Sequence, residues 1–173
     1  VSSIHPMFGP KVKGLEGKKV IVVPVYGREK ESEFFLDFFK NLKAEVFVSD
    51  AKTHDKMMSL TLSLPHFFGY LFSSVVSTHD IFKVKKFEGT SFKYLFNLSK
   101  AVLVEDPEFY FELMQNPEFR ILLEEIFKKT QKLIDIIRTN DFEKFEDFLK
   151  ATRKAFEKED FSKVYDLFYK LID

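Results

Sequence analysis

The chain has 173 residues, enough for one domain with a sizeable core or for one domain and part of another. Lys and Arg total 27, Asp and Glu also total 27, and the two signs are interspersed, so the net charge is zero and we expect no nucleic-acid partner. The absence of cysteine excludes disulfides, zinc–thiolate sites and thiol nucleophiles, and it favours a cytoplasmic location.

The first part of the chain predicts a β-α-β fragment. A β-branched run in residues 18–25 is typical of a buried strand, residues 31–44 place phenylalanines at helical spacing, and residues 45–48 predict a second strand. Because such a fragment is too small to make a complete sheet, we expect its other strands to come from a segment absent from this sequence or from another chain.

Everything after Asp50 is predicted to be helical, so the fold class is mainly α. Asp106-Pro107 and Asn116-Pro117 each combine an N-cap residue with proline at the first helical position. The predicted helices cover residues 54–77, with a kink at Pro65, then 92–104 and the segments after Asp106 and Asn116, and a loop is predicted over 79–89.

The helix over residues 54–77 has two predicted sides. One side carries His66 at helical spacing with Ser59, Ser63, Tyr70, Ser73 and Ser77. The other is an apolar stripe of Met57, Leu60, Leu64, Phe68, Leu71 and Val75. The pattern is compatible with two arrangements. In one, the stripe faces the core and the serine side faces water or a ligand; in the other, which periodicity alone favours, the helix is buried and its hydroxyls bond to neighbouring helices.

Residues 57–78 contain no Asp, Glu, Lys or Arg, and that length could cross a bilayer. Eight hydroxyl side chains, a proline and a histidine are costly against lipid, so a buried helix of a bundle is favoured over a membrane span.

The first ten residues place His5 among conformationally restricted neighbours. Pro6 biases His5 toward extended backbone, Gly9 permits positive φ or a close approach, and Pro10 fixes φ again. A rigidly mounted imidazole is a candidate acid, base or polarising group near neutral pH, and the alternative is an ordinary turn histidine.

Several kinds of site are not expected. The six glycines form no GxGxxG and no GxxxxGK[ST], so the chain has no nucleotide-phosphate loop of its own, and GxSxG is also absent. The four histidines include no i,i+4 pair, and His54 and His66 are too far apart along one straight helix to share a metal. We therefore expect neither a metal site nor a cofactor-binding residue in this chain.

Four ordered motifs resemble those of the prephenate dehydrogenases: residues 5–10 (HPMFGP), 53–58 (THDKMM), 64–67 (LPHF) and 105–110 (EDPEFY). The resemblance covers nearly the whole chain but only the later part of such an enzyme, which begins with a Rossmann domain. It implies that residues 1–50 are the C-terminal remnant of the dinucleotide-binding domain, completing a Rossmann-type sheet. Residues 51–173 would be an all-helical substrate-binding and dimerisation domain.

The family converts prephenate to 4-hydroxyphenylpyruvate in tyrosine biosynthesis: a hydride passes to NAD(P)+ and carbon dioxide departs. The resemblance implies that His5 accepts the proton of the substrate hydroxyl, that His66 lines the substrate pocket, and that Tyr110 reaches the neighbouring subunit's site. Where the family has an arginine that grips a carboxylate, the nearest match is Lys93, with Lys100 as the alternative; lysine offers a point charge instead of a planar fork.

The leading hypothesis is thus the substrate-binding and dimerising part of an NAD- or NADP-dependent prephenate or arogenate dehydrogenase. We expect a homodimer that is inactive without its Rossmann domain. The sequence does not distinguish between the two cofactors or the two substrates. The alternative is a non-catalytic helical dimer that binds an aromatic-pathway metabolite.

Overall fold

The computed structural model describes residues 2–9 and 11–172, and the chain divides into two compact units, residues 1–58 and 59–173. The predicted domain boundary at residue 50 falls just before the last helix of the first unit. The mainly helical architecture, with a small sheet preceding the helices, confirms the predicted fold class.

The first unit is a three-stranded sheet with two helices. Its elements are β1 (Ser3–Pro6), β2 (Lys19–Val23), α1 (Glu29–Asn41), β3 (Glu45–Val48) and α2 (Ala51–Met58). The central strand β2 pairs with β3 in parallel and with β1 in antiparallel orientation, and its Val20 and Val22 are fully buried. The β-α-β fragment has the predicted order, because its β-branched run and its phenylalanine spacing are local signals.

The expected source of the other strands is wrong for one of them, because the strand β1 comes from this chain itself. It lies at an edge of the described sheet, where a strand can contain Pro6 although proline has no N–H to donate. A buried hydrogen bond of 2.8 Å between the hydroxyls of Ser2 and Ser32 ties the start of β1 to α1.

Within the described residues Gly9 uses neither freedom that glycine permits: its φ is not positive, and a Cβ added there would meet nothing within 4 Å. The predicted restraint at Pro10 lies outside the described residues.

The second unit is helical. It contains a π-helical turn (Ser59–Ser63) followed by α3 (Leu64–Val76), α4 (Ile81–Lys85), α5 (Thr90–Leu103), α6 (Pro107–Met114), α7 (Pro117–Thr139), α8 (Phe142–Ala155) and α9 (Val164–Ile172). The predicted loop over residues 79–89 is therefore interrupted by a short helix, α4, which Asp80 caps by accepting a hydrogen bond from the Lys83 amide.

The helix starts follow the capping signals of the sequence. Asp106 accepts a hydrogen bond from the amide of Glu108, and Asn116 accepts one from the amide of Glu118, each 2.9 Å long. These contacts satisfy amides that have no partner inside the helix, so the two Asx-Pro pairs place the starts of α6 and α7 correctly.

A π-helical turn lies just before Pro65, the position at which a kink is predicted. Proline has no N–H to donate to the preceding turn, and a wider turn is one way for a helix to absorb that loss. The turn separates α2 from α3 and coincides with the boundary between the two units.

The core of the second unit includes a close contact between α3 and α5. A Cβ added at Gly69 would lie 3.1 Å from Cγ2 of Val102, so a larger residue there would require Val102 to shift by a few tenths of an ångström. The Ser99 hydroxyl donates a 3.0 Å hydrogen bond to the Gly69 carbonyl, and both Ser99 and Val102 are buried.

The two sides of the long helix are reversed relative to the expectation. The buried positions include Ser59 and Ser63 on the serine side, and the Ser63 hydroxyl donates to the Leu113 carbonyl of α6. The apolar stripe is largely exposed: Met57, Leu60, Phe68, Leu71 and Val75 all present their side chains on the surface of the single chain. The predicted core side is thus wrong. The alternative holds only in part: the Ser63 hydroxyl bonds to another helix, the Ser73 and Ser77 hydroxyls donate to carbonyls of their own helix, and the helix as a whole is not buried.

Residues 51–76 are also long and apolar enough to cross a membrane by length and composition alone. Only 17% of the most apolar window of this segment is buried within the chain. Exposed apolar surfaces of this kind mark contacts with another protein or with a membrane, and the described residues of this chain do not bury it.

Candidate functional site

The first candidate group is built on β1. His5 lies opposite Ile21 of β2, and the Met7 amide donates a 2.9 Å hydrogen bond to the Lys19 carbonyl, so the strand pairing holds the backbone on both sides of Pro6. The imidazole is therefore mounted on a paired strand instead of a free turn, which agrees with the rigid presentation predicted from the sequence.

The His5 side chain meets a second histidine. Its Nδ1 lies 2.9 Å from Nε2 of His54, and the two ring centroids are 5.2 Å apart. On the far side of that ring, Nδ1 of His54 lies 3.0 Å from a carboxylate oxygen of Asp55. Two imidazoles and a carboxylate thus form one hydrogen-bonded row from β1 to α2.

The surroundings of His5 favour its neutral form. Burial, and second to it the neighbouring His54 ring, lower the pKa of His5 below its ordinary value of 6.5. A neutral imidazole has one nitrogen that can accept a proton, so His5 can act as a base at neutral pH.

The second candidate group lies in the helical unit, around His66. Nδ1 of His66 lies 2.6 Å from the Leu62 carbonyl in the π-helical turn. Since a carbonyl can only accept, Nδ1 donates, and in the neutral ring Nε2 is left as an acceptor. His66 is half-buried, and the irregular turn before Pro65 sets its orientation.

Two tyrosines belong to this group, one of them in contact with His66. The Tyr110 ring stacks on the imidazole with centroids 4.5 Å apart, and Tyr70 meets Tyr110 edge-on. Burial, followed by the charge of Glu105, raises the pKa of both phenols, which therefore stay protonated and able to donate. Tyr110 is only 7% exposed and contacts residues of its own chain; its predicted role toward another subunit stays a prediction.

The two lysines are placed differently from each other. Lys93 is half-buried in the first turns of α5, whereas Lys100 is exposed with its Nζ 5.3 Å from the centre of the Phe96 ring. Within residues 2–9 and 11–172, no hydrogen bond, ion pair or ring contact joins either lysine to His66 or Tyr110. The same ranges hold no cluster of three or more His, Cys, Asp or Glu that could bind a metal.

Sequence reasoning missed the contact of His54 with His5. The signal was present, because residues 53–58 are one of the four ordered motifs, yet the motif was given no role. The two histidines are 49 residues apart, and helical spacing connects His54 only to residues of its own helix.

The fold of this chain, a small sheet followed by helices, is shared with solved dehydrogenases. A prephenate dehydrogenase from Aquifex aeolicus, crystallised with hydroxyphenyl propionate and NAD+, superposes with a TM-score of 0.70 at 20% identity, covering 92% of this chain and 59% of that one. An arogenate dehydrogenase from Synechocystis gives 0.66 at 14% identity, covering 90% and 60%.

The sequence comparisons agree with the fold. The family described as "Prephenate dehydrogenase, dimerization domain" matches residues 50–151. A "Probable arogenate/prephenate dehydrogenase" of Methanocaldococcus jannaschii is 27% identical over 161 residues, which are 88% of this chain and 35% of the relative. The chain belongs to the prephenate dehydrogenase family, an oxidoreductase family, and it spans about a third of this curated relative's length.

Proposed function

We propose that this chain is the substrate-binding and dimerising part of a prephenate or arogenate dehydrogenase. The observation that carries the proposal is His5: a half-buried imidazole fixed on a paired strand, with a lowered pKa, in a chain of this family. A base that must accept a proton at neutral pH needs these properties.

The proposed reaction needs two acceptors. NAD+ or NADP+ would take the hydride, and His5 would take the proton of the substrate hydroxyl as the hydride leaves. Because the sequence contains no glycine-rich phosphate loop, we assign the dinucleotide to a domain outside this chain, and the chain alone would be inactive.

We assign substrate contacts to the group around His66. Nε2 of His66 offers an acceptor, the Tyr110 ring offers a flat apolar face, and Lys93 supplies a positive charge for a carboxylate. A cyclic dicarboxylate needs these three kinds of contact. We assign this role to Lys93 because its side chain is half-buried, whereas Lys100 is exposed to solvent over the Phe96 ring.

The test is His5→Asn in the natural protein that contains this chain and its dinucleotide-binding domain. We expect kcat for NAD(P)+ reduction to fall at least about a hundredfold, the lower end for losing a positioned base, while prephenate still binds. His79→Asn is the control, because His79 is exposed and lies in the other unit. Hydride transfer at the unsubstituted rate in His5→Asn would overturn the proposal.

The same assay separates the alternative function. A metabolite-binding protein without catalysis would bind prephenate or arogenate and reduce no dinucleotide, whichever residue stands at position 5.

A further inference from the structure

The proposed chemistry of His5 uses a single imidazole, yet His5 is hydrogen-bonded to His54, which in turn contacts Asp55. His54 comes from α2, is 17% exposed at its side chain, and makes a ring-to-ring hydrogen bond with His5, which comes from β1. The 2.9 Å separation of the two nitrogens is a hydrogen-bond distance.

When Asp55 is ionised and His54 is neutral, the direction of both hydrogen bonds is fixed. An ionised carboxylate can only accept, so Nδ1 of His54 must carry a proton and donate it. In a neutral His54 ring, Nε2 is then an acceptor. The contact with His5 can form only if Nδ1 of His5 donates, which leaves Nε2 of His5 without a proton.

We infer that His54 is a positioning residue that holds His5 in the one tautomer able to accept the substrate proton. The inference rests on the proposed role of His5 and adds to it the residue that sets its protonation. Without a fixed acceptor at Nδ1, the single proton of a neutral His5 could occupy either nitrogen, and rings protonated at Nε2 could not act as the base.

The row also accommodates the charge that the reaction creates. As the hydroxyl proton moves to Nε2 of His5, the O–H electron pair forms the carbonyl bond and the C–H pair leaves as hydride to the nicotinamide dinucleotide. His5 becomes an imidazolium whose Nδ1–H still donates to His54, and His54 still donates to Asp55. A carboxylate at the end of such a row favours the charged ring.

The first measurement reads the tautomer directly. The natural protein is labelled with 15N in its histidine rings, and a long-range 1H–15N correlation spectrum reports which ring nitrogen carries the proton. The signals of His5 are those that disappear from the spectrum of His5→Asn. At a pH where His5 is neutral, we expect the proton on Nδ1. A His5 ring protonated at Nε2 would overturn the inference.

The second measurement uses three variants. His54→Phe removes the acceptor but keeps a flat ring, and we expect kcat to fall at least about tenfold with KM within about threefold, because losing the correct tautomer impairs the chemical step and not binding. His54→Gln can offer an amide oxygen in place of Nε2 and should restore most of kcat. His79→Phe is the matched control and should change neither parameter.

The outcomes separate this inference from the proposed function. If kcat falls in His5→Asn but is unchanged in His54→Phe, the proposed function is supported and the positioning role of His54 is rejected. If the unsubstituted protein reduces no dinucleotide, the proposed function is rejected. If the proton on Nδ1 of His5 is nevertheless shared between both ring nitrogens in His54→Phe, the tautomer assignment is supported. Should His54→Phe fail to fold, the spectrum of the unsubstituted protein and the kcat of His54→Gln still decide.

Discussion

The lowered pKa of His5 links a single residue to the stability of the sheet unit. Protonation of His5 is less favourable in the folded state than in the unfolded chain, where the pKa keeps its ordinary value of 6.5. The stabilising contribution of the neutral ring is therefore fully present above that value. It is lost as pH falls through 6.5 and on through the lower pKa of the folded state.

We predict that acidification destabilises the unsubstituted protein more steeply than His5→Gln. Urea unfolding followed by circular dichroism between about pH 8 and about pH 5 measures the difference, and His54 and Asp55, the titratable groups in the row with His5, are common to both proteins. His79→Gln should keep the steep dependence. Equal pH dependence in all three proteins would show that His5 is not held neutral by the fold.

The local signals at single residues predicted much of the fold. Asp106 and Asn116 mark the starts of their helices because capping is an interaction within three residues. The contact of His5 with His54 could not be predicted, since it depends on how a strand and a helix 49 residues apart are placed. The positions of the candidate site residues followed from family motifs, whereas their partners required the fold.

At the scale of elements, the crossing of α3 and α5 depends on Gly69. The sequence pattern identified both helices but not the buried side of α3, because a helix with one serine side and one apolar side can pack either way. The structure resolves the choice through small residues: Gly69, Ser63 and Ser99 let backbones approach and let hydroxyls reach carbonyl oxygens.

We predict that Gly69→Val lowers the free energy of unfolding by about 1–3 kcal/mol, the usual cost of overfilling a packed contact. The added Cβ alone would lie 3.1 Å from Val102, and the branched methyls would extend further toward α5. Ser74→Val introduces the same residue at an exposed position of the same helix and should change stability by less than about 0.5 kcal/mol. Urea denaturation measures the free energy of unfolding of both variants. Equal effects would mean that α5 moves away from the added side chain without loss of stability.

At the scale of the whole molecule, the exposed apolar stripe of α3 is the feature that the single chain leaves unexplained. Phe68 and Leu71 are 43% and 48% exposed, and they line a groove of about 540 Å³ that continues onto α7 through Leu123, Ile126 and Phe127. We propose that this face packs against a second copy of the chain, and the description of the matching family as a dimerization domain supports the proposal. A two-fold interface would place the same stripe on both sides of the contact.

We therefore predict that Phe68→Asp weakens self-association at least about thirtyfold, the effect of losing about 2 kcal/mol at a buried interface position. Sedimentation equilibrium of the detergent-free protein measures the dissociation constant. Phe82→Asp is the control: Phe82 is 85% exposed on α4 and does not line the groove, so its dimer should be unchanged. If the unsubstituted protein is strictly monomeric at micromolar concentration, the stripe does not form a dimer interface. If the protein is soluble only with detergent, the stripe contacts lipid instead.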